Sequence, residues 1–282
     1  MPFAAVVPPS ALPAGSLLLD ARPGAPGFVQ GHLAGALHAD LNRHLSLASA
    51  PGADPARGGR HPLPDPAAWG AQLGAWGITP ETPVVAYDDA NGGNGAARLW
   101  WMLRAFGHRR AALLEGGLQA ALAAGLELET GATAPPRPAP PYPAPGPSWA
   151  WPTVTLEEVD RLRRDPAWKV LDVRSRPRYE GLTEPLDPVA GHIPGALNLP
   201  FTENLDAGGR YLDAAALRRL YLAFLAGTPP DHLVVHCGSG VTACSTLLAL
   251  DLAGLAGASL YVGSWSEWCR NPMPRATGLA NS

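Results

Sequence analysis

Short aliphatic runs alternate along this chain with longer stretches whose apolar positions recur at helical spacing. "LLLD" (17–20), "PVVAY" (83–87), "KVLDV" (169–173) and "LVVH" (233–236) have the length and composition of buried strands. "PAAWGAQLGAWGI" (66–78), "TLEEVDRLRRDP" (155–166) and "AAALRRLYLAFLAG" (214–227) are longer and amphipathic, and predict helices. Strand–helix alternation of this kind implies a parallel sheet flanked by helices, the α/β class. In such sheets ligands gather at the carboxyl ends of the strands.

The pattern occurs twice. "LLLDAR" (17–22) recurs as "KVLDVR" (169–174), and "GHLAGALHADL" (31–41) as "GHIPGALNLPF" (191–201). "PVVAYDD" (83–89) with "ARLWWMLRAFG" answers "LVVHCGS" (233–239) with "TLLALDLAG", and "LLEGGLQA" (113–120) answers "LYVGSWSEW" (260–268). The order is the same in both halves, so the chain is two copies of one unit. Between them, "ATAPPRPAPPYPAPGPSWAWP" holds too many prolines for a helix or a central strand and reads as a semi-rigid connector. The expected division is 1–131, a linker at 132–151, and 152–282.

Composition narrows the function. With 282 residues, 46% hydrophobic and 16% charged, the chain can build two real cores. A net charge of −3 with no basic run argues against a nucleic-acid partner. No apolar run is long enough for a membrane span, and the N-terminus lacks the basic region of a signal peptide. A soluble protein of a reducing, cytoplasmic setting is the default. Three cysteines (Cys237, Cys244, Cys269) with no C-x-x-C pair make neither a disulfide scaffold nor a zinc site. No cofactor and no metal are expected. Glycines 92, 93 and 95 lack the lysine of a phosphate loop.

The chemistry concentrates at "LVVHCGSGVTAC" (233–244). A strand ending at Val235 and a helix from Thr246 would leave the loop Gly238 to Ala243 wrapped around the Cys237 sulfur. Backbone N–H groups at a helix start lack intrahelical partners and favour an anion, here the thiolate. Gly238 and Gly240 permit the close approach that a Cβ would forbid. Cys237 is thus read as a nucleophile, and Cys244, in mid-apolar sequence, as core. Cys-dependent phosphatases place an arginine six residues after the cysteine; here that residue is Ala243, which leaves sulfur transfer as the better reading.

Together these motifs resemble the tandem rhodanese-type sulfurtransferases, with the loop "CGSGVTA" similar to that of the 3-mercaptopyruvate branch. The resemblance implies two tandem rhodanese-like domains, each a small parallel sheet flanked by helices. The second would carry the cysteine, while the first, with Asp88 at the equivalent place, would be catalytically silent. It further implies sulfur transfer from 3-mercaptopyruvate through a Cys237 persulfide to cyanide or a thiol acceptor such as thioredoxin. Cys237, Ser239 and His61 would be catalytic. Arg178, the loop residues Gly238, Gly240, Val241, Thr242 and Ala243, and Asn42 would bind the donor. Asn42 stands where the family carries an aspartate, with Asp40 two residues earlier.

A second family arginine after the "TEP" element is missing, with Leu186 and Asp187 around that place. Thiosulfate as donor is therefore the alternative, and a non-catalytic binding or sensing module is the alternative from another class. Arg174 is read as a structural partner of Asp172, as Arg22 of Asp20. His32, His192 and His236 are read as structural, and Trp100 and Trp101 as core. For Trp265, a pocket wall and an interface remain equal readings.

Overall fold

The computed structural model describes residues 3–93, 95–146 and 148–279, which divide into two compact units. The first comprises residues 1–49, 63–151 and 207–210, and the second residues 50–62, 152–206 and 211–282. The division departs from a simple cut along the chain. Segment 50–62 lies inside the first repeat in sequence but groups with the second unit, and 207–210 does the converse.

The first unit contains β1 (Val6–Val7), β2 (Leu17–Asp20), α1 (Ala25–Gln30), β3 (His32–Leu33), β4 (Leu37–His38), α2 (Pro66–Ala75), β5 (Val84–Tyr87), α3 (Gly95–Ala105), β6 (Ala111–Leu114), α4 (Gly117–Ala123) and β7 (Leu128–Glu129). Its sheet runs β1-β6-β5-β2-β4, parallel throughout, and β3 pairs antiparallel with β7 apart from it. All four residues of β5 and of β6 are buried, as expected for strands covered on both faces. Trp100 and Trp101 on α3 are core, as the helical pattern implied. They pack edge-on and tilted against Trp151 and Trp149 of the proline-rich stretch, at ring distances of 5.5 and 5.9 Å.

The second unit repeats this order with β8 (Thr153–Val154), α5 (Leu156–Leu162), β9 (Lys169–Asp172), α6 (Arg176–Tyr179), β10 (Leu197–Asn198), α7 (Ala214–Leu225), β11 (Leu233–His236), α8 (Ala243–Leu252), β12 (Ser259–Tyr261) and α9 (Ser264–Trp268). The sheet order β10-β9-β11-β12-β8 is the first unit's order, strand for strand, and again parallel. Local chemistry places the helices. Thr155 and Glu158 form a reciprocal capping box at α5, and the Asp213 carboxylate accepts the Ala216 N–H at α7.

The repeat extends to single hydrogen bonds. Arg22 grips Asp20 and the Gly31 carbonyl, and Arg174 grips Asp172 and the Gly191 carbonyl, both ion pairs closing at 2.6 Å. His32 stacks on Phe28 and points Nδ1 at its carbonyl; His192 does the same with Tyr179, with ring distances of 3.8 Å in both. These pairs tie the strand end to the turn that follows, the structural role read from their appearance in both copies. Among the described residues, no helix is long and apolar enough to cross a membrane.

Candidate active site

Cys237 follows β11 directly, and β11 is the central strand of its sheet. Three bonds fix the turn. The Cys237 N–H donates to Ser264 Oγ at 3.2 Å, while the carbonyls of Cys237 and Gly238 accept from Trp265 and Ser266. Ser264 takes a left-handed backbone (φ 54°) and donates its hydroxyl to the Tyr261 carbonyl, so α9 starts hard against the loop. Gly240 is required: its φ is +71°, and a Cβ there would lie 2.5 Å from the Val262 carbonyl.

The helix begins earlier than the sequence pattern suggested. α8 starts at Ala243 rather than Thr246, so Ala243 is the first helical residue and the loop is only 237–242. The apolar run beginning at "TLLAL" hid three small residues that helical geometry accepts. The shorter loop draws the α8 N-terminus closer in sequence to the sulfur. Cys244 is fully buried and donates its thiol to the Gly240 carbonyl, in keeping with a core residue.

The first unit shows what such a loop does. Asp88 stands at the end of β5, where Cys237 stands at the end of β11. Its buried carboxylate accepts the N–H groups of Ala90, Gly92 and Ala96 at 3.0, 2.8 and 3.1 Å. The strand–loop–helix turn of this fold is thus an anion cradle, filled in the first unit by the chain's own carboxylate.

Segment 50–62 brings further groups to the second unit's loop. Gly58 donates its N–H to Glu267, and Arg60 donates its N–H to Ser266 Oγ. Gly59 is pressed onto Gly263: φ is +79°, and a Cβ would collide with the Gly263 carbonyl and lie 2.7 Å from Ser266 Oγ. The next two side chains then face the cysteine loop. His61 Nδ1 is 2.8 Å from Ser239 Oγ, which joins the two side chains. The Arg60 guanidinium comes within 3.0 Å of where a Gly238 Cβ would sit.

Arg178, from the short α6, reaches the same point from another side, at 3.3 Å. Glu184 holds it through Nη2 at 2.7 Å, and Asp187 lies 3.8 Å from it. Asp187 is itself fully enclosed and collects Arg60 at 3.1 Å and Arg270 at 2.7 Å. A side chain at Gly238 would thus meet two guanidinium groups.

The buried Asp172–Arg174 pair lies beneath. Burial pushes the Asp172 carboxyl up, but the charge of Arg174 and the hydrogen bonds it donates outweigh it, and the group stays below the usual carboxylate range. Burial opposes the charge on Arg174, yet Asp172, Glu184 and the Cys237 sulfur together raise its pKa. Burial pushes His236 down, so this neighbour of the nucleophile is a neutral, structural ring. Burial and the Asp187 carboxylate push the Cys269 thiol up, which keeps it protonated.

Trp265 is buried in the second unit's core, donates Nε1–H to the Val189 carbonyl, and carries the Arg174 guanidinium 5.0 Å from its ring centroid. Asp40 is buried and holds its own turn, accepting N–H groups from Gly24, Asn42 and Arg43. Asn42 is exposed in the first unit. Arg60 was not anticipated. Its signal was present, since Gly58-Gly59-Arg60 recurs as Gly208-Gly209-Arg210, and these are parts of the two segments that group with the opposite unit.

The Rhodanese-like domain family matches residues 10–124 and 155–271. The chain belongs to the rhodanese family. A probable 3-mercaptopyruvate sulfurtransferase of Pseudomonas aeruginosa is 46% identical over 263 residues, covering 93% of this chain and 89% of that protein. A Mycobacterium tuberculosis protein provisionally named a thiosulfate sulfurtransferase is 38% identical, covering 90% of this chain and 86% of its own. The solved structure of 3-mercaptopyruvate sulfurtransferase from Leishmania major superposes with a TM-score of 0.79 at 32% identity, covering 94% of this chain and 74% of that one. This rhodanese-family chain, with its two matched domains, is a sulfurtransferase enzyme.

Proposed function

We propose that this enzyme takes sulfur from 3-mercaptopyruvate onto Cys237 and passes it to cyanide or a thiol. The observation that carries this reading is the convergence on one loop of a cysteine, an arginine that can hold a carboxylate and a serine–histidine pair. The Cys237 thiolate attacks the thiol sulfur of the donor. The carbon–sulfur bond breaks, its electrons pass into the enolate of pyruvate, and the sulfur stays on Cys237 as a persulfide. The enolate carbon takes a proton through Ser239 and His61, whose 2.8 Å contact suits a relay. The turn Gly238, Gly240, Val241, Thr242 and Ala243 cradles the sulfur anion, as the Asp88 loop cradles a carboxylate. An acceptor thiolate, such as that of thioredoxin, then attacks the outer sulfur and restores the Cys237 thiolate.

On this reading Arg178 binds the donor carboxylate, and 1–131 is catalytically silent because Asp88 replaces the nucleophile. Asn42 is kept as a donor-binding residue on the strength of the family resemblance alone. All three cysteines are free thiols, in keeping with a cytoplasmic setting.

The similarity to the Mycobacterium tuberculosis protein supports thiosulfate as a second donor. Steady-state rates with each donor over a range of concentrations decide between them. A larger kcat/KM with 3-mercaptopyruvate is expected; a clear advantage for thiosulfate overturns the donor assignment while leaving Cys237 as the carrier.

A further inference from the structure

We propose that Leu182, Leu186 and Leu279 form an apolar rim beside the reactive sulfur, on which a protein thiol acceptor docks to collect it. Among the described residues these are the three most exposed large hydrophobic side chains, at 72, 56 and 63%. A single exposed leucine is ordinary on a protein surface. Here all three stand around one short stretch of the second unit. Leu182 and Leu186 flank Glu184, whose carboxylate holds Arg178 at 2.7 Å and accepts the Leu186 N–H at 3.1 Å. Leu279 is drawn to the same stretch by its neighbour: Gly278 donates its N–H to the Glu180 carbonyl at 2.8 Å. Gly181 makes room for that approach, because a Cβ there would lie 2.8 Å from Thr277 Cγ2.

The position of the rim selects its occupant. Cys237 is only 2% exposed, and Arg178, which Glu184 holds, stands 3.3 Å from where a Gly238 Cβ would sit. The rim is therefore continuous with the residues around the cysteine loop. In the transfer step the acceptor's sulfur bonds the outer sulfur of the Cys237 persulfide. The sulfur–sulfur bond to Cys237 breaks, and its electrons return to the Cys237 thiolate. Cyanide or a small thiol makes that approach without covering the 182–187 stretch, and leaves the three leucines in water. A folded protein brings its thiol in on a surface much wider than the loop, and so covers them. Apolar area removed from water there contributes to binding. The occupant is a protein whose reactive cysteine lies within an apolar surface.

This rests on the proposed function for the persulfide, though not for where the acceptor sits. The test compares reduced thioredoxin, glutathione and cyanide as acceptors, in steady-state assays of the whole protein with saturating 3-mercaptopyruvate or thiosulfate. The triple variant Leu182→Ser, Leu186→Ser, Leu279→Ser is set beside the wild type, with the melting temperature and solution mass of both. The substituted side chains face water, so the fold is expected to hold. The wild type should show a larger kcat/KM for thioredoxin than for glutathione. The variant should lose about tenfold or more of the thioredoxin value, as the loss of three apolar contacts implies. Its kcat with cyanide and its donor KM should change less than about twofold. An unchanged thioredoxin kcat/KM in the variant overturns the docking rim, as does an equal loss with cyanide or a wild type that prefers glutathione. A wild-type dimer that the substitutions dissociate overturns it too, because a second copy of this chain would then occupy the rim. Transfer to cyanide by the wild type judges the proposed function separately, and a wild type that transfers sulfur from neither donor to any acceptor overturns both.

Discussion

The Asp88 carboxylate accepts the N–H of Gly92 at 2.8 Å, closing in the first unit a loop that in the second unit surrounds a cysteine. One fold element thus appears with two contents. Asp88 takes up the loop's donors with its own side-chain oxygens. Cys237 offers a sulfur that becomes anionic as thiolate and again as persulfide. In the first copy, the loop after the central strand gives three N–H donors to a carboxylate.

Asp88→Asn therefore leaves a buried amide facing N–H donors and should destabilise the protein by about 1–3 kcal/mol. Urea denaturation measures this. Donor turnover at Cys237 should be unchanged under native conditions, because the substitution lies in the first unit and Cys237 in the second. A loss of less than about 0.5 kcal/mol would mean that the three N–H bonds contribute little.

His61 and Ser239 should act as one device. Each alanine variant is expected to lower kcat with 3-mercaptopyruvate by about 100-fold or more, the range of positioned proton transfer. The double variant should be little worse than the more damaging single one, because removing either partner already breaks the relay. Additive losses would show that the two residues act separately.

Acid stability follows from buried histidines. His108 lies in the first unit with its ring bonded to the Tyr142 hydroxyl, and burial pushes its pKa down to about 4. The unfolded chain protonates it near 6.5, so between pH 6.5 and 4 the unfolded state binds more protons. Stability is full above about pH 6.5 and falls as pH drops toward 4, by up to about 1.4 kcal/mol per pH unit for this one group. His44, His192 and His236 are lowered by burial too and add to the slope. Denaturation midpoints across this range should show His108→Asn with a shallower dependence than the wild type; equal slopes would exclude His108 as a source.

The division of labour between sequence and structure has physical causes. Strand runs and their repeats were readable because a parallel sheet buried on both faces demands continuous aliphatic stretches, and β5 and β11 obey that demand. Asp172 and Arg174 were readable as a pair because they recur as Asp20 and Arg22 and sit two residues apart. The helix start at Ala243 was not, since alanine, cysteine and serine carry no periodic signal. Arg60 was missed for a different reason. Its position depends on the glycine conformations at 58 and 59 and on contacts with Gly263 and Ser266, some two hundred residues away in sequence. A lone arginine beside a loop histidine looks like a surface charge until that packing is known. Trp265 was ambiguous because a buried tryptophan and a pocket tryptophan have the same sequence surroundings.

The most direct measurement is the intact mass of the protein after incubation with 3-mercaptopyruvate, beside Cys237→Ser. A gain of one sulfur atom in the wild type, removed by a reducing thiol and absent from the variant, is the predicted result. An unchanged wild-type mass with both 3-mercaptopyruvate and thiosulfate, or an equal gain in Cys237→Ser, would contradict a Cys237 persulfide as the carrier.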